Sequence, residues 1–384
     1  MAALRASRIH RIRSAAPLIA AGVALLLFFP TGLAAQNKEL TSETRGHLQM
    51  AVSRFLYANS VPGISVAVVQ NGAPVWSEGF GVADLENYSP ATSSTLYRLG
   101  SISKPITAVA VLQLWQQGKL DLDAPVQKYC SAFPRKESPI TTRQLLGHLG
   151  GIRHYSDDGK GDVPEDSARH FASMEDSLQL FAKDPLVAPP GTKFNYSTYG
   201  YTLVGCVLEG ASSEKYVDYV RENVFVPAEM NSTRPDDFFA IVQHRTRWYH
   251  RDKSGAVRNA GVLDSSYKIP GGGLISSADD MARFAAAILN GKLVKPSTRD
   301  VMWTVQHTSD GKPTGYALGW GVDDKLGLRR ISHGGGQQGT STYLALAPER
   351  RAAVVVLANM DNLDVGALAD EMLKIVLGMQ TAPH

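Results

Sequence analysis

Three patterns of apolar and polar positions alternate along the chain. Residues Ile64 to Val69 and Val75 to Phe80 are apolar or aromatic runs joined by Asn71-Gly72, the preferred two-residue turn, so they predict a β-hairpin. Near the other end, Tyr343 to Ala347 and Ala353 to Leu357 flank the turn Pro348 to Arg350 and predict a second hairpin. Helical periodicity marks Thr44 to Tyr57 before the first hairpin and Val365 to Leu377 after the second. Strands at both ends with helices between them predict one antiparallel sheet assembled from distant segments. The stretch Lys104 to Gln117 is apolar almost all round and predicts a buried helix. From about Leu120 to Asn259 the chain is broken by Pro and Gly, with helical patterns at Thr142 to Leu149, Ser173 to Lys183, Thr198 to Leu208 and Tyr216 to Val224. The polar run Ser156 to Asp162 reads as a surface loop. The fold class is α/β (α+β). Its predicted units are an α/β subdomain from 36–119 and 260–384, and a mostly helical subdomain, 120–259, inserted in it.

Residues 1–35 stand apart. Arg5, Arg8, Arg11 and Arg13 precede an apolar stretch from Ala15 to Phe29 and the small residues Gly32 to Ala35, the pattern of a secretory signal peptide. Pro17 and a core shorter than the roughly 20 residues of a spanning helix favour cleavage near Ala34 or Ala35 over a retained membrane anchor. A periplasmic or secreted protein follows. The segment also carries the basic excess. The whole chain has 39 basic and 36 acidic residues, and without these four arginines 35 remain against 36. The remainder has no basic excess, which argues against a nucleic-acid partner.

Cys130 and Cys206 are the only cysteines, and neither spacing nor context forces a bond, so two buried free thiols are expected. The histidines show no tight ligand spacing, so neither a metal nor another cofactor is expected.

The chemistry concentrates at Ser101-Ile-Ser-Lys104. A serine hydroxyl attacks well when a base takes its proton, and a lysine serves once its pKa is pulled below roughly 10.4. Residues i and i+3 share a helix face, and a first turn offers unpaired N–H groups to an oxyanion. Ser-x-x-Lys occurs four times, however. Ser212 reads as a helix N-cap. Ser265-x-x-Lys268 runs into Ile269-Pro270, which should turn the lysine elsewhere, and Ser309-Asp-Gly-Lys312-Pro reads as an exposed turn. Only Ser101 opens a helix that can be buried and rigid.

Two further stretches could complete a site. Tyr196, in Pro189-Pro-Gly-Thr-Lys-Phe-Asn-Tyr-Ser-Thr198, lies where a loop enters a helix and could pass a proton; the alternative is a core aromatic. His333-Gly-Gly335-Gly336 precedes a strand, where glycines let backbone approach a substrate; the alternative is a flexible loop.

In order and spacing, Ser101-x-x-Lys104, Tyr196-Ser-Thr198 and His333-Gly-Gly335 resemble the serine β-lactamase-related family, which includes class C β-lactamases, D,D-peptidases and β-lactamase-fold esterases. The likeness runs from about Val61 to Leu377 and includes Gln144-Leu-Leu-Gly-His-Leu-Gly-Gly-Ile152. Tyr196-Ser-Thr-x-Gly-Tyr201 looks most like the mitochondrial serine β-lactamase-like proteins and their bacterial relatives. The resemblance implies a β-lactamase/transpeptidase-like fold with its site between the two parts. Ser101 would be acylated, Lys104 and Tyr196 would handle protons, and the N–H groups of Ser101 and Gly336 would hold the oxyanion. The implied substrate is a small molecule or peptide carrying an amide or ester. Thr198 stands where the family pattern has asparagine, and His333 stands where many relatives have lysine, leaving a charge that appears below about pH 6.5. These departures also motivate a second reading, a binding or self-associating scaffold with an idle site.

Overall fold

A computed structural model describes residues 39–155 and 167–379, so the signal-peptide reading and the loop from Ser156 fall outside the described residues. The chain opens with α1 (Ser42–Ala58), β1 (Gly63–Gln70), β2 (Ala73–Asp84) and the short β3 (Ser89–Pro90). Helices α2 (Ser103–Gln116), α3 (Thr142–Leu146), α4 (Thr198–Ser212) and α5 (Ala278–Leu289) follow. It closes with β4 (Gly321–Asp323), β5 (Arg330–Gln337), β6 (Thr340–Ala347), β7 (Ala352–Ala358) and α6 (Val365–Val376). The predicted sheet is present: seven strands in the order β3-β2-β1-β7-β6-β5-β4. The two hairpins from opposite ends meet where β1 pairs antiparallel with β7, Ile64 opposite Ala358 and Val69 opposite Ala353.

That junction explains why β7 is apolar at every position and β1 at all but Ser65 and Gln70. In β7, Val354, Val356 and Ala358 join the core under α1 and α6, with Leu48, Val52, Leu368 and Met372. Their neighbours Ala353, Val355 and Leu357 point the other way, into the core that holds Ile106 and Val109 of α2 and Phe284 of α5. A strand covered on both faces loses its alternation and reads as a continuous apolar run. The same logic holds for α2, where every residue from Ser103 to Leu114 is buried.

Several expectations change. Helix α2 begins at Ser103, and Ser101 sits in the 3₁₀ turn Gly100–Ile102 just before it. The helical patterns at 142–149 and 173–183 shorten to Thr142–Leu146 and Met174–Leu178, each ended by irregular chain. Ser212 is not an N-cap: it lies in the last turn of α4 and donates to the Leu208 carbonyl at 2.8 Å.

Cys130 and Cys206 form a disulfide, contrary to the free thiols expected, with Cα atoms 5.5 Å apart across 76 residues of sequence. The cause is a close approach invisible to spacing. Gly210 lies one turn beyond Cys206 on α4, and a Cβ there would fall 1.7 Å from the Tyr129 carbonyl oxygen, so only glycine lets the 129–130 segment lie against the helix. Closing a loop of that length stabilises by about 4 kcal/mol in the chain-entropy account. Cys130→Ser/Cys206→Ser should therefore lower the unfolding free energy in urea by up to about 4 kcal/mol; an unchanged midpoint would show that the crosslink carries no stability.

Candidate active site

The 3₁₀ turn that carries Ser101 is held from two sides. Gly100 adopts φ +51°, and a Cβ on it would lie 2.9 Å from the Gly336 nitrogen, so β5 runs directly past the turn. Gly335 is equally constrained: its Cβ would lie 2.1 Å from the Leu99 carbonyl and 2.2 Å from Thr342 Oγ1. At Gly336 nothing lies within 4 Å of the same position, which leaves open space beside its backbone and beside the partly exposed Ser101. The glycines of His333-Gly-Gly-Gly336 thus serve close approach on one side of the strand and access on the other.

Lys104, the second residue of α2, is fully buried. Its Nζ lies 3.0 Å from Ser101 Oγ, 3.2 Å from Thr198 Oγ1 and 2.7 Å from the Gly271 carbonyl oxygen. Burial, and after it the charge of Lys268, pushes its pKa well below the usual lysine range. A neutral amine has two N–H donors and one lone pair. The Gly271 carbonyl can only accept and takes one N–H, the Thr198 hydroxyl can take the other, and the lone pair is left to accept the Ser101 O–H.

Tyr196 directly precedes α4, whose N-cap Ser197 accepts from the Gly200 N–H at 2.9 Å. Its ring centre is 4.8 Å from Lys104 Nζ. Burial raises the Tyr196 pKa, and hydrogen bonding with Ser101 opposes that rise. A buried phenol that keeps its proton and touches the serine can donate to a departing group. The third stretch supplies His333, whose ring centre lies 6.3 Å from that of Tyr196. The fold therefore brings Ser101, Lys104, Tyr196, Thr198, His333, Gly335 and Gly336 to one place.

His333 behaves differently from expectation. Its Nδ1 lies 2.6 Å from the Gly334 carbonyl and must donate to it, so Nε2 accepts, and the Tyr316 hydroxyl donates to it at 2.8 Å. Burial first, then the charge of Lys104, pushes its pKa down to about 3. The ring is neutral and internally satisfied throughout the neutral range, so a charge below about pH 6.5 does not develop.

Lys268 also departs from the sequence reading. It is 95% buried and acts electrostatically on Lys104, and its own pKa falls to about 7 through burial and then the charge of Arg98. Gly272 marks the proximity: its would-be Cβ is 3.7 Å from Lys268 Cδ and 3.8 Å from the Gly100 carbonyl carbon. The sequence signal was present, since Ser265-x-x-Lys268 is one of the four motif matches, but proline at 270 closes a short helical turn, Ile269–Gly272, that folds the lysine back. By contrast, Lys312 is exposed as expected. Among the described residues no group of three or more His, Cys, Asp or Glu could hold a metal ion, and no helix is long and apolar enough to cross a membrane.

Comparison with known proteins identifies the family and the fold. The human mitochondrial serine beta-lactamase-like protein LACTB is 33% identical, over 82% of this chain and 76% of its own. The octameric penicillin-binding protein homologue from Pyrococcus abyssi superposes with a TM-score of 0.74 at 27% identity, covering 88% of this chain and 78% of that one. A D-stereospecific amidohydrolase from Streptomyces superposes with a TM-score of 0.71 at 25% identity, covering 86% and 97%. Residues 48–377 match the family described as Beta-lactamase, and the chain belongs to that family of β-lactamase-fold serine hydrolases.

Proposed function

We propose that the protein is a serine hydrolase that opens an amide or ester through an acyl-enzyme on Ser101. The observation that carries this reading is the buried, charge-depleted amine of Lys104, 3.0 Å from the Ser101 hydroxyl oxygen. Ser101 Oγ bonds to the substrate carbonyl carbon while its proton passes to the Lys104 lone pair. The carbonyl π electrons move to oxygen, and the N–H groups of Ser101 and Gly336 receive the oxyanion. As the oxyanion collapses, the bond to the leaving nitrogen or oxygen breaks, and Tyr196 delivers a proton to it, replaced from the Lys104 ammonium. Water then attacks the ester with the same groups acting in reverse order.

Substrate recognition separates this chain from the lysine-bearing pattern. With His333 neutral and bonded to Tyr316, and Thr198 offering a hydroxyl in place of an amide, the two groups that would grip a carboxylate or a side-chain amide are changed. Small amides and esters, including amides of D configuration in view of the D-stereospecific amidohydrolase from Streptomyces, are the favoured class over efficient β-lactam hydrolysis. The segment 1–35 supports an exported protein, and the octameric Pyrococcus relative supports self-association.

A fluorescent acyl-serine probe should label wild type and leave Ser101→Ala unlabelled; labelling that persists in the variant removes Ser101 from the role. A panel of p-nitrophenyl esters and D-amino-acid amides with no Ser101-dependent turnover would favour the scaffold reading instead.

Lys104→Ala should slow acylation by about 10²–10⁴-fold, the usual contribution of a general base. An unchanged rate would exclude lysine as the base.

The pH dependence follows from the lowered lysine pKa. Only neutral Lys104 accepts the proton, so acylation should rise with pH through its folded pKa and then level. Below about pH 7 Lys268 is charged and holds that pKa down. Lys268→Met should therefore move the rising limb to higher pH, and a limb that stays in place would show that this charge is not felt at the amine.

A further inference from the structure

The segment around Tyr196 is tied to Ile152, Arg153 and His154 by Asn195 Nδ2, Ser197 Oγ and the Thr198 N–H, but the two peptide N–H groups that flank Tyr196 converge on one other residue outside the three motif stretches. His148 directly follows Gly147, the C-cap of α3, and adopts φ +58°. A side chain in that left-handed region costs about 1–2 kcal/mol, and glycine is the usual occupant after a helix end. His148 is nonetheless 98% buried. The backbone N–H groups on both sides of Tyr196 go to it: Asn195 N–H donates to the His148 carbonyl at 2.8 Å, and Ser197 N–H donates to His148 Nδ1 at 3.1 Å. Its ring lies over Tyr196, with centres 4.2 Å apart, and is enclosed by Tyr316 at 4.8 Å, Tyr201 at 5.3 Å and Phe194 at 5.8 Å.

Because Nδ1 accepts, the neutral ring carries its proton on Nε2, and among the described residues that buried atom has no hydrogen-bond partner. An unpaired buried donor costs roughly 1–3 kcal/mol, in addition to the backbone strain. Two costs at one residue need an offsetting purpose. A glycine here would relax the backbone and keep the carbonyl bond to Asn195. Only the bond to Ser197 and the contact with the phenol ring require an imidazole. Burial, followed by the charge of Lys104, holds the ring far below the usual histidine range, so the acceptor nitrogen stays unprotonated at neutral pH.

We propose that His148 is a positioning residue, which clamps the peptide on both sides of Tyr196 and so sets the phenol hydroxyl against Ser101. The role rests on the acyl-enzyme reading above. It acts through Tyr196 and touches no reacting atom.

The test compares His148→Gly with His148→Asn. Glycine suits the backbone but removes the side-chain clamp, whereas asparagine tolerates the left-handed conformation and offers an oxygen near the place of Nδ1. His148→Gly should lower kcat on a p-nitrophenyl ester by about 10- to 100-fold, the scale of a misplaced catalytic group, with KM within about twofold. His148→Asn should recover most of that loss. Wild-type kcat in His148→Gly, or His148→Asn as slow as His148→Gly, overturns the role. Selective ¹⁵N-histidine labelling of wild type tests it without a variant: Nδ1 of His148 should read unprotonated across the active pH range, and a protonated Nδ1 overturns the clamp. Absence of Ser101-dependent turnover in wild type would instead defeat the acyl-enzyme reading, and this role with it.

Discussion

Everything in the site depends on keeping one amine out of water. Lys104 has no exposed surface, and a charged ammonium in such a place is costly unless it sheds its proton or is heavily compensated. Among the described residues its hydrogen-bond partners are two hydroxyls and one backbone carbonyl, with no carboxylate. The fold therefore selects the uncharged amine, and the rest of the architecture supplies the means. Helix α2 is apolar on every face because it must pass through the core to bring Lys104 there, and the two-sided sheet gives that core its depth.

The same requirement explains the glycines. A deep amine is useful only if the serine beside it still meets solvent and substrate, so the chain must narrow from buried to open within three residues. Gly100, in a left-handed turn, and Gly335, pressed between Leu99 and Thr342, let β5 close on the Ser101 turn from one side while Gly336 leaves room on the other. The sheet register places Gly336 opposite Ser341 and Gly335 opposite Thr342, whose hydroxyl donates to the Leu99 carbonyl at 2.8 Å. The sheet and the turn that carries Ser101 are thus fastened through Thr342, and through Thr340, whose hydroxyl lies 3.0 Å from the Arg98 carbonyl.

How much of this was legible in the sequence divides along the range of the forces. The hairpins at 64–80 and 343–357, the terminal helices and the buried helix after Ser101 are written in local periodicity and turn chemistry, and they stand in the structure with ends shifted by a few residues. The burial of Lys104 beside Ser101 was legible for the same reason, since only that one of the four Ser-x-x-Lys matches leads into a long apolar helix. The misread features are those decided by tertiary approach. Cys130 meets Cys206 because Gly210 admits a backbone carbonyl against α4, and nothing in the spacing of the cysteines says so. Lys268 was set aside because proline follows it two residues later, yet the short turn at Ile269–Gly272 returns it to the core beside Gly100. His333 was read with its solution titration, which burial and then the charge of Lys104 push down to about pH 3.

These misreadings bear on one quantity, the balance of positive charge around the serine. Lys268 adds a cation, half-titrated near pH 7, on the side of the amine, while His333 withdraws one from the strand where a lysine would stand. The first change favours a neutral base; the second weakens the hold on an anionic substrate. On the acyl-enzyme proposal, proton transfer and substrate binding are set by different residues, Lys268 acting on the base and His333 on the strand beside the serine.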